Sequence, residues 1–298
     1  MKIRAASVVF SALLISSAAR ADVAQGVEAF HKGDYTTALA QFEPAAEAGD
    51  AEAKYWLGRM YDSGLGVKHN PRTAYEWFQR AADGGHAEAE RIVGAYYEEG
   101  TVVARDFAKA AEWFEKSAAQ GNDKAMRNLG NLYLDGLGVP QDMKKAEELY
   151  HKAAAKGNAR ALRSLGYMYY FGNGVPQDFI EAAEYFEKAA KSGGGGAEFD
   201  LARMYYRGQG VPRDFAKAAQ LFEAAAQEGN GKAQIFLGRM YAFGEGVETD
   251  NTKAYFWLTV ASAQEPKLAE ENLRRVKGKL SSAERAEAEK MALAFRPK

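Results

Sequence analysis

Leu57-Gly58-Arg59-Met60-Tyr61-Asp62-Ser63-Gly64-Leu65-Gly66-Val67 decides the fold, because the same pattern returns five more times, each 36 residues on. Tyr61 is followed by Tyr97, Tyr133, Tyr169, Tyr205 and Tyr241, and Val67 by Val103, Val139, Val175, Val211 and Val247. Gly64 returns at 100, 136, 172, 208 and 244, while Ala53 and Ala74 recur as far as Ala233 and Ala254. A fixed period with unchanging small and aromatic positions marks a repeat architecture, in which each unit packs on its neighbours and the core grows along the chain.

Working outward, each unit reads as helix, loop, helix. In the first, Ala53, Leu57, Met60 and Tyr61 share one face of a helix spanning roughly Glu52 to Ser63. Gly64 stands where a left-handed residue ends a helix without a Cβ clash. Gly66 lets the loop turn back, and Val67 anchors it. Asn70, Asp106, Asp142, Asp178, Asp214 and Asp250 then open the second helices, each a side-chain acceptor for the free amides of the first turn. Trp77-Phe78 and its counterparts Trp113-Phe114, Leu149-Tyr150, Tyr185-Phe186, Leu221-Phe222 and Trp257-Leu258 read as filling between units rather than as a cofactor box.

The units run 51–86, 87–122, 123–158, 159–194, 195–230 and 231–266. Residues 22–50 read as an abbreviated N-terminal capping repeat, since an end repeat must show one polar face to water. After Pro266 the period fails, and 267–298 read as C-terminal capping helices, the last opened by the capping box Ser281-Ser282-Ala283-Glu284. Two departures stand out. Val102 replaces the second loop glycine, so that loop is expected to take another path. Gly193-Gly194-Gly195-Gly196 weakens the start of a helix and is expected to flex, with Ala202 in place of the helix-packing glycine.

The order A-x-x-x-L-G-x-x-Y-x-x-G-x-G-V-x-x-D-x-x-x-A-x-x-W-F-x-x-A-A-x-x-G resembles the Sel-one-like repeat, a branch of the tetratricopeptide superfamily, over residues 51–266. The resemblance implies an all-α fold, a right-handed superhelical solenoid of paired antiparallel helices used as an adaptor for protein complexes. One secreted branch of that family carries a disulfide in each repeat. This chain has no cysteine and differs from it.

The N-terminus reads as an export signal. Lys2 and Arg4 flank the apolar run Val8 to Ile15, and Ala19-Arg20-Ala21 is a small-x-small cleavage pattern, giving a signal peptide of 1–21. That run is well short of the ~20 residues that span a bilayer, and no later segment could insert once the signal is cleaved. Loss of Lys2, Arg4 and Arg20 would take the net charge from -1 to -4. A periplasmic or secreted bacterial protein is expected. The near-neutral charge gives no reason to expect nucleic acid as a partner, and the absence of cysteine excludes thiol catalysis and disulfide staples.

No catalytic constellation emerges, and neither a cofactor nor a metal is expected. His31, His69, His86 and His151 occupy non-equivalent places without metal-ligand spacing and read as solvated surface histidines. Gly64-x-Gly66 follows a helix rather than a strand, which is the wrong context for a phosphate loop. The informative positions are those that vary. Sites equivalent to 55 and 59 are i, i+4 neighbours on the first helix of each unit, the face that lines the concave groove by resemblance to tetratricopeptide arrays. The first series is Tyr55, Arg91, Arg127, Arg163, Phe199 and Ile235, and the second is Arg59, Ala95, Asn131, Tyr167, Arg203 and Arg239.

From these, Tyr55, Arg59, Arg91, Arg127, Arg163, Tyr167, Phe199, Arg203 and Arg239 form the candidate partner-binding set. Arg127, Arg163, Arg203, Arg239, Tyr167 and Phe199 are expected to face solvent. One reading has the arginines paired with neighbouring carboxylates, which keeps the groove soluble. The other has them receiving an extended protein or peptide segment that carries carboxylates, which the planar guanidinium fork binds through two parallel hydrogen bonds. The resulting expectation is a non-catalytic exported scaffold. The alternatives are a hydrolase acting on cell-wall material or a β-lactam, and a periplasmic regulator of a membrane sensor.

Overall fold

The computed structural model of the chain describes residues 23–193 and 196–297. The export segment expected at 1–21 and the middle of the Gly193–Gly196 run lie outside the described residues. Every regular element among those described is a helix. The chain divides into two compact units at Ala153.

The first unit holds α1 (residues 23–31), α2 (Tyr35–Glu47), α3 (Ala51–Ser63), α4 (Pro71–Asp83), α5 (Ala87–Glu99), α6 (Phe107–Ala119), α7 (Asp123–Asp135) and most of α8 (Met143–Ala155). Each first helix ends on a left-handed glycine, with φ of 67° at Gly64, 72° at Gly100 and 67° at Gly136. The loop is then closed from within: the Asn70, Asp106 and Asp142 amides each donate to the backbone carbonyl of the repeated tyrosine, Tyr61, Tyr97 and Tyr133, at 2.9 Å. The same Asx side chains accept from the third residue of the next helix, at 3.2, 3.0 and 2.9 Å. One residue thus ends the loop and caps the helix, the second role contributing about 1 kcal/mol.

Packing within a pair depends on the helix glycine. A Cβ on Gly58, Gly94 or Gly130 would stand 2.6–2.7 Å from the ring of Phe78, Phe114 or Tyr150, so only glycine lets those fully buried rings lie against the facing helix. The aromatic pair is therefore split in role. Its second member fills the core, whereas Trp77 and Trp113 are half-buried and lie under Arg80 and Lys116 at 4.8 and 3.9 Å. Both members therefore pack on the core, the second wholly buried and the first at its edge.

The second loop glycine has its own reason. A Cβ on Gly138 would run into the backbone of Phe107 and Ala108 at the start of α6. At the equivalent place in the preceding loop stands Val102, and no non-glycine residue among those described has a positive φ. That loop does take another path.

The second unit holds α9 (Ala159–Phe171), α10 (Phe179–Lys191), α11 (Ala197–Arg207), α12 (Phe215–Gln227), α13 (Gly231–Phe243), α14 (Asn251–Ala261), α15 (Pro266–Lys277) and α16 (Ser282–Ala294). The same devices recur, with Gly172, Gly208 and Gly244 left-handed and Asp178, Asp214 and Asp250 as caps. α11 is two residues shorter than the other first helices and has no side-chain cap, as its glycine run implies. Ala202 is wholly buried, and Phe222 stacks on Phe236 at 4.8 Å. Pro266 takes the first turn of α15, where its missing N–H costs nothing. Ser281 and Glu284 form both halves of the capping box. Ala269, Val276, Leu280 and Ala288 cover the last repeat through Ile235, Tyr255 and Leu258.

Candidate functional site

The six arginines of the candidate set are half-buried, and none faces solvent freely. They divide by position. Those at the earlier site are engaged with neighbours. Arg91 donates through Nε and Nη2 to Glu88 Oε1, at 3.0 and 2.9 Å. Arg127 donates to Asn128 Oδ1 at 3.1 Å. Arg163 donates through Nε to Asp200 Oδ2 at 2.6 Å and through Nη2 to the Tyr167 hydroxyl at 3.1 Å. Arginines at the later site have no carboxylate partner among the described residues. Arg59 donates to the Tyr55 hydroxyl at 3.0 Å, Arg203 lies over Phe199 at 5.7 Å, and Arg239 lies over Phe236 at 5.9 Å.

Phe199 does not face solvent, and neither Arg163 nor Tyr167 is a free groove residue. Phe199 is 8% exposed between Phe222 and Phe236. Tyr55, of the candidate set, is likewise 8% exposed, held between Trp56, Phe78 and His86. The physical reason is side-chain direction at the earlier position: a ring there is drawn into the core, Arg91 and Arg127 bond along their own helices, and Arg163 reaches the next first helix.

Tyr167, Arg163 and Asp200 form a closed triad. Asp200, only 4% exposed, accepts the Tyr167 hydroxyl at 2.7 Å as well as Arg163. Burial pushes the Tyr167 phenol up to about 12, reinforced by the Asp200 charge. Burial opposes the Arg163 charge, and its bond to Asp200 more than restores it. The triad is an ion pair that staples α9 to α11.

In the first unit a cavity of about 600 Å³ opens between α3 and α5, with Pro71 and Phe78 of α4 and the loop that follows α5 completing its lining. Tyr55, Arg59, Arg91, Ile92 and Tyr96 line its walls, with Asp62, Glu88 and Glu99 adding negative charge. Ala95, the smallest residue of its variable series, and Val102, which departs from the repeated loop glycine, both line it. The small side chain at 95 leaves room where Arg59, Asn131, Tyr167, Arg203 and Arg239 stand in the other repeats. Burial pushes the Tyr96 phenol up, aided by Asp62, so Tyr96 stays protonated and donates to Asp62 Oδ1 at 3.3 Å. Burial acts to raise the Glu88 carboxyl, but its bonds from Arg91 and Asn122 lower it overall and keep it ionised. The cavity offers both charge signs between aromatic and aliphatic walls, as suits a polypeptide segment rather than a purely apolar ligand.

His86 departs from the expected solvated histidine. Its ring is stacked on Tyr55 at 4.4 Å and its side chain is 16% exposed. Nδ1 accepts the Ala89 amide at 3.1 Å as the cap of α5, so Nε2 carries the hydrogen toward Glu52 Oε2 at 3.0 Å. That bond holds the Glu52 carboxyl below its usual range. Sequence reasoning overlooked this cap series. Asp50, Asn122, Asn158 and Asn230 fill the same place, each accepting the amide three residues on, and the recurring Gly-Asx dipeptide was its signal. Among the described residues no group of three or more His, Asp or Glu could hold a metal ion, and no helix is long and apolar enough to cross a membrane.

Stacked helix pairs with a polar, arginine-bearing first-helix face define an interaction scaffold of the α-solenoid class. The Sel1 repeat family matches residues 51–86, 87–122, 123–158, 159–194, 196–230 and 231–265. The chain belongs to the Sel1 repeat family, whose members are generally protein-interaction scaffolds and typically non-catalytic.

Among solved structures, the chain is similar to a Sel1 repeat protein from Oxalobacter formigenes, at 31% identity and a TM-score of 0.76, over 82% of this chain and 98% of that one. It is also similar to c5321 of uropathogenic Escherichia coli, described as a protective antigen with an SLR fold. That likeness is at 27% identity and a TM-score of 0.56, over 93% of this chain and 68% of that one. No curated protein matches the chain.

Proposed function

We propose that the protein is an exported, non-catalytic scaffold that binds a polypeptide segment carrying carboxylates along its first-helix face. The observation that supports this most is the cavity between α3 and α5, where Arg59 has no carboxylate partner and stands beside Tyr55, Ile92 and Tyr96. Arg203 and Arg239 repeat the same condition in the second unit. A guanidinium half-buried against a ring and lacking a counter-ion is a ready receptor for a carboxylate, and the ring adds apolar contact. Arg91, Arg127 and Arg163 then serve mainly to hold the face together.

Export rests on the leader-like segment at 1–21, and the protective-antigen description of the Escherichia coli relative fits a protein beyond the cytoplasm. The test is to capture the partner by crosslinking in cells and titrate it against the parent and Arg59→Glu/Arg203→Glu at two salt concentrations. Affinity is expected to fall with salt, since exposed charges are screened beyond ~8 Å at physiological ionic strength. It is also expected to fall at least tenfold in the variant, with helicity unchanged. Parent-like affinity in the variant and no response to salt would remove these arginines from the binding surface.

A further inference from the structure

We propose that the cavity at the end of the repeats, bounded by α13, α14 and α15, takes the C-terminal residue of a polypeptide with an apolar side chain. The cavity holds about 230 Å³. At ~30 Å³ for each water-sized group, that is room for about eight non-hydrogen atoms, the size of one leucine with its terminal carboxylate. Its floor is Ala242, Leu258 and Val276, all buried. Phe243 also lines it and is 54% exposed. The charged lining is cationic, with no carboxylate in it.

Of the three cations, Arg275 is engaged with Glu271 Oε1 at 2.8 Å. Arg239 and Lys279 have no carboxylate partner among the described residues. Two cations over an apolar floor select an anion joined directly to an apolar group. Asn272 narrows the choice further. Its Nδ2 donates to the Leu268 carbonyl at 2.7 Å, which leaves Oδ1 as an acceptor beside the cations. A carboxylate, an amide N–H and an apolar side chain on one carbon describe the last residue of a chain. A fatty acid lacks the N–H, and an internal acidic residue lacks the apolar side chain. The site exists because α15 leaves the repeat pattern, so Lys279, Arg275 and Asn272 come from outside the repeats while Arg239 comes from the last one.

The proposal rests on the scaffold reading only in taking the partner to be a polypeptide. The probes are an uncharged pentapeptide ending in leucine with a free carboxylate, the same peptide with a C-terminal amide, and hexanoate, each titrated calorimetrically into the full chain. The free-acid peptide is expected to bind, with the amide and hexanoate each at least tenfold weaker. Arg239→Gln and Lys279→Gln are each expected to weaken the acid peptide about tenfold without loss of helicity. Lys267→Gln, exposed on α15 outside the cavity lining, should leave it unchanged, and because the probe is a single C-terminal residue read at Arg239 and Lys279, its failure would leave the partner titration at Arg59 standing. Equal binding of acid and amide, or no binding at millimolar peptide, would overturn the proposal. Hexanoate binding as well as the peptide would assign the cavity to a free carboxylic acid and overturn it too.

Discussion

Removing Asp200 separates a structural arginine from a binding one. Its carboxylate side chain, 3% exposed, accepts two short bonds, from Arg163 Nε at 2.6 Å and the Tyr167 hydroxyl at 2.7 Å. Removing one partner of a buried ion pair costs about 3–5 kcal/mol. Arg163 is 31% exposed, so its guanidinium regains water on one side and the expected loss falls to about 2–3 kcal/mol for Asp200→Ala. Arg163→Met strands a carboxylate that is more deeply buried and is expected to cost at least as much. The double variant should cost little more than the worse single one, a coupling of about 2 kcal/mol between contacting residues. The assay is urea unfolding of the four proteins followed by circular dichroism. Arg203→Ala, which breaks no ion pair, serves as a control expected to cost about 0.5 kcal/mol. Additive losses within about 0.5 kcal/mol, or an Asp200→Ala variant as stable as the parent, would refute the triad as a staple.

Gly136→Val and Gly172→Val place a β-branched residue at φ of 67° and 73° and should each cost about 1–3 kcal/mol in thermal unfolding; unchanged melts would show the loops relax. Glu198 has a buried Oε2 without a partner, and burial raises its carboxyl above the usual range. A raised folded value means stability present below the unfolded value is lost as pH climbs through the folded one. Glu198→Gln should therefore gain stability over the parent at pH 8 and lose that advantage near pH 4. An equal difference at both values would rule out ionisation as the cause. Mass spectrometry of protein from fractionated cells should give a mature chain beginning at Asp22, and a retained Met1 would refute cleavage.

The 36-residue period made the helix pairs, the glycine loops and the Asx caps legible, because those depend on contacts that recur in the same register in every repeat. The use of each groove arginine was not legible. Arg163 and Asp200 lie 37 residues apart, and their pairing depends on how far one first helix stands from the next. Phe199 shares its register with Arg163, but its ring is drawn into the core while the Arg163 guanidinium reaches across to Asp200. The α3–α5 cavity was half-legible: Val102 was visible as an exception, and its consequence emerged only with Ala95 beside it. The cavity under α15 had no signal, since the periodic positions carry no information about helices outside the array.

A partner bound on the first-helix face lies within reach of a probe on α5. A photo-crosslinking residue placed at Ala95, inside the α3–α5 cavity, is compared in cells with one at Glu76, exposed on α4. The Ala95 probe is expected to capture a defined polypeptide whose crosslinked segment, made synthetically, binds the parent and loses at least tenfold in Arg59→Gln. Capture at Glu76 with none at Ala95, or a segment that binds Arg59→Gln as well as it binds the parent, would contradict binding on that face.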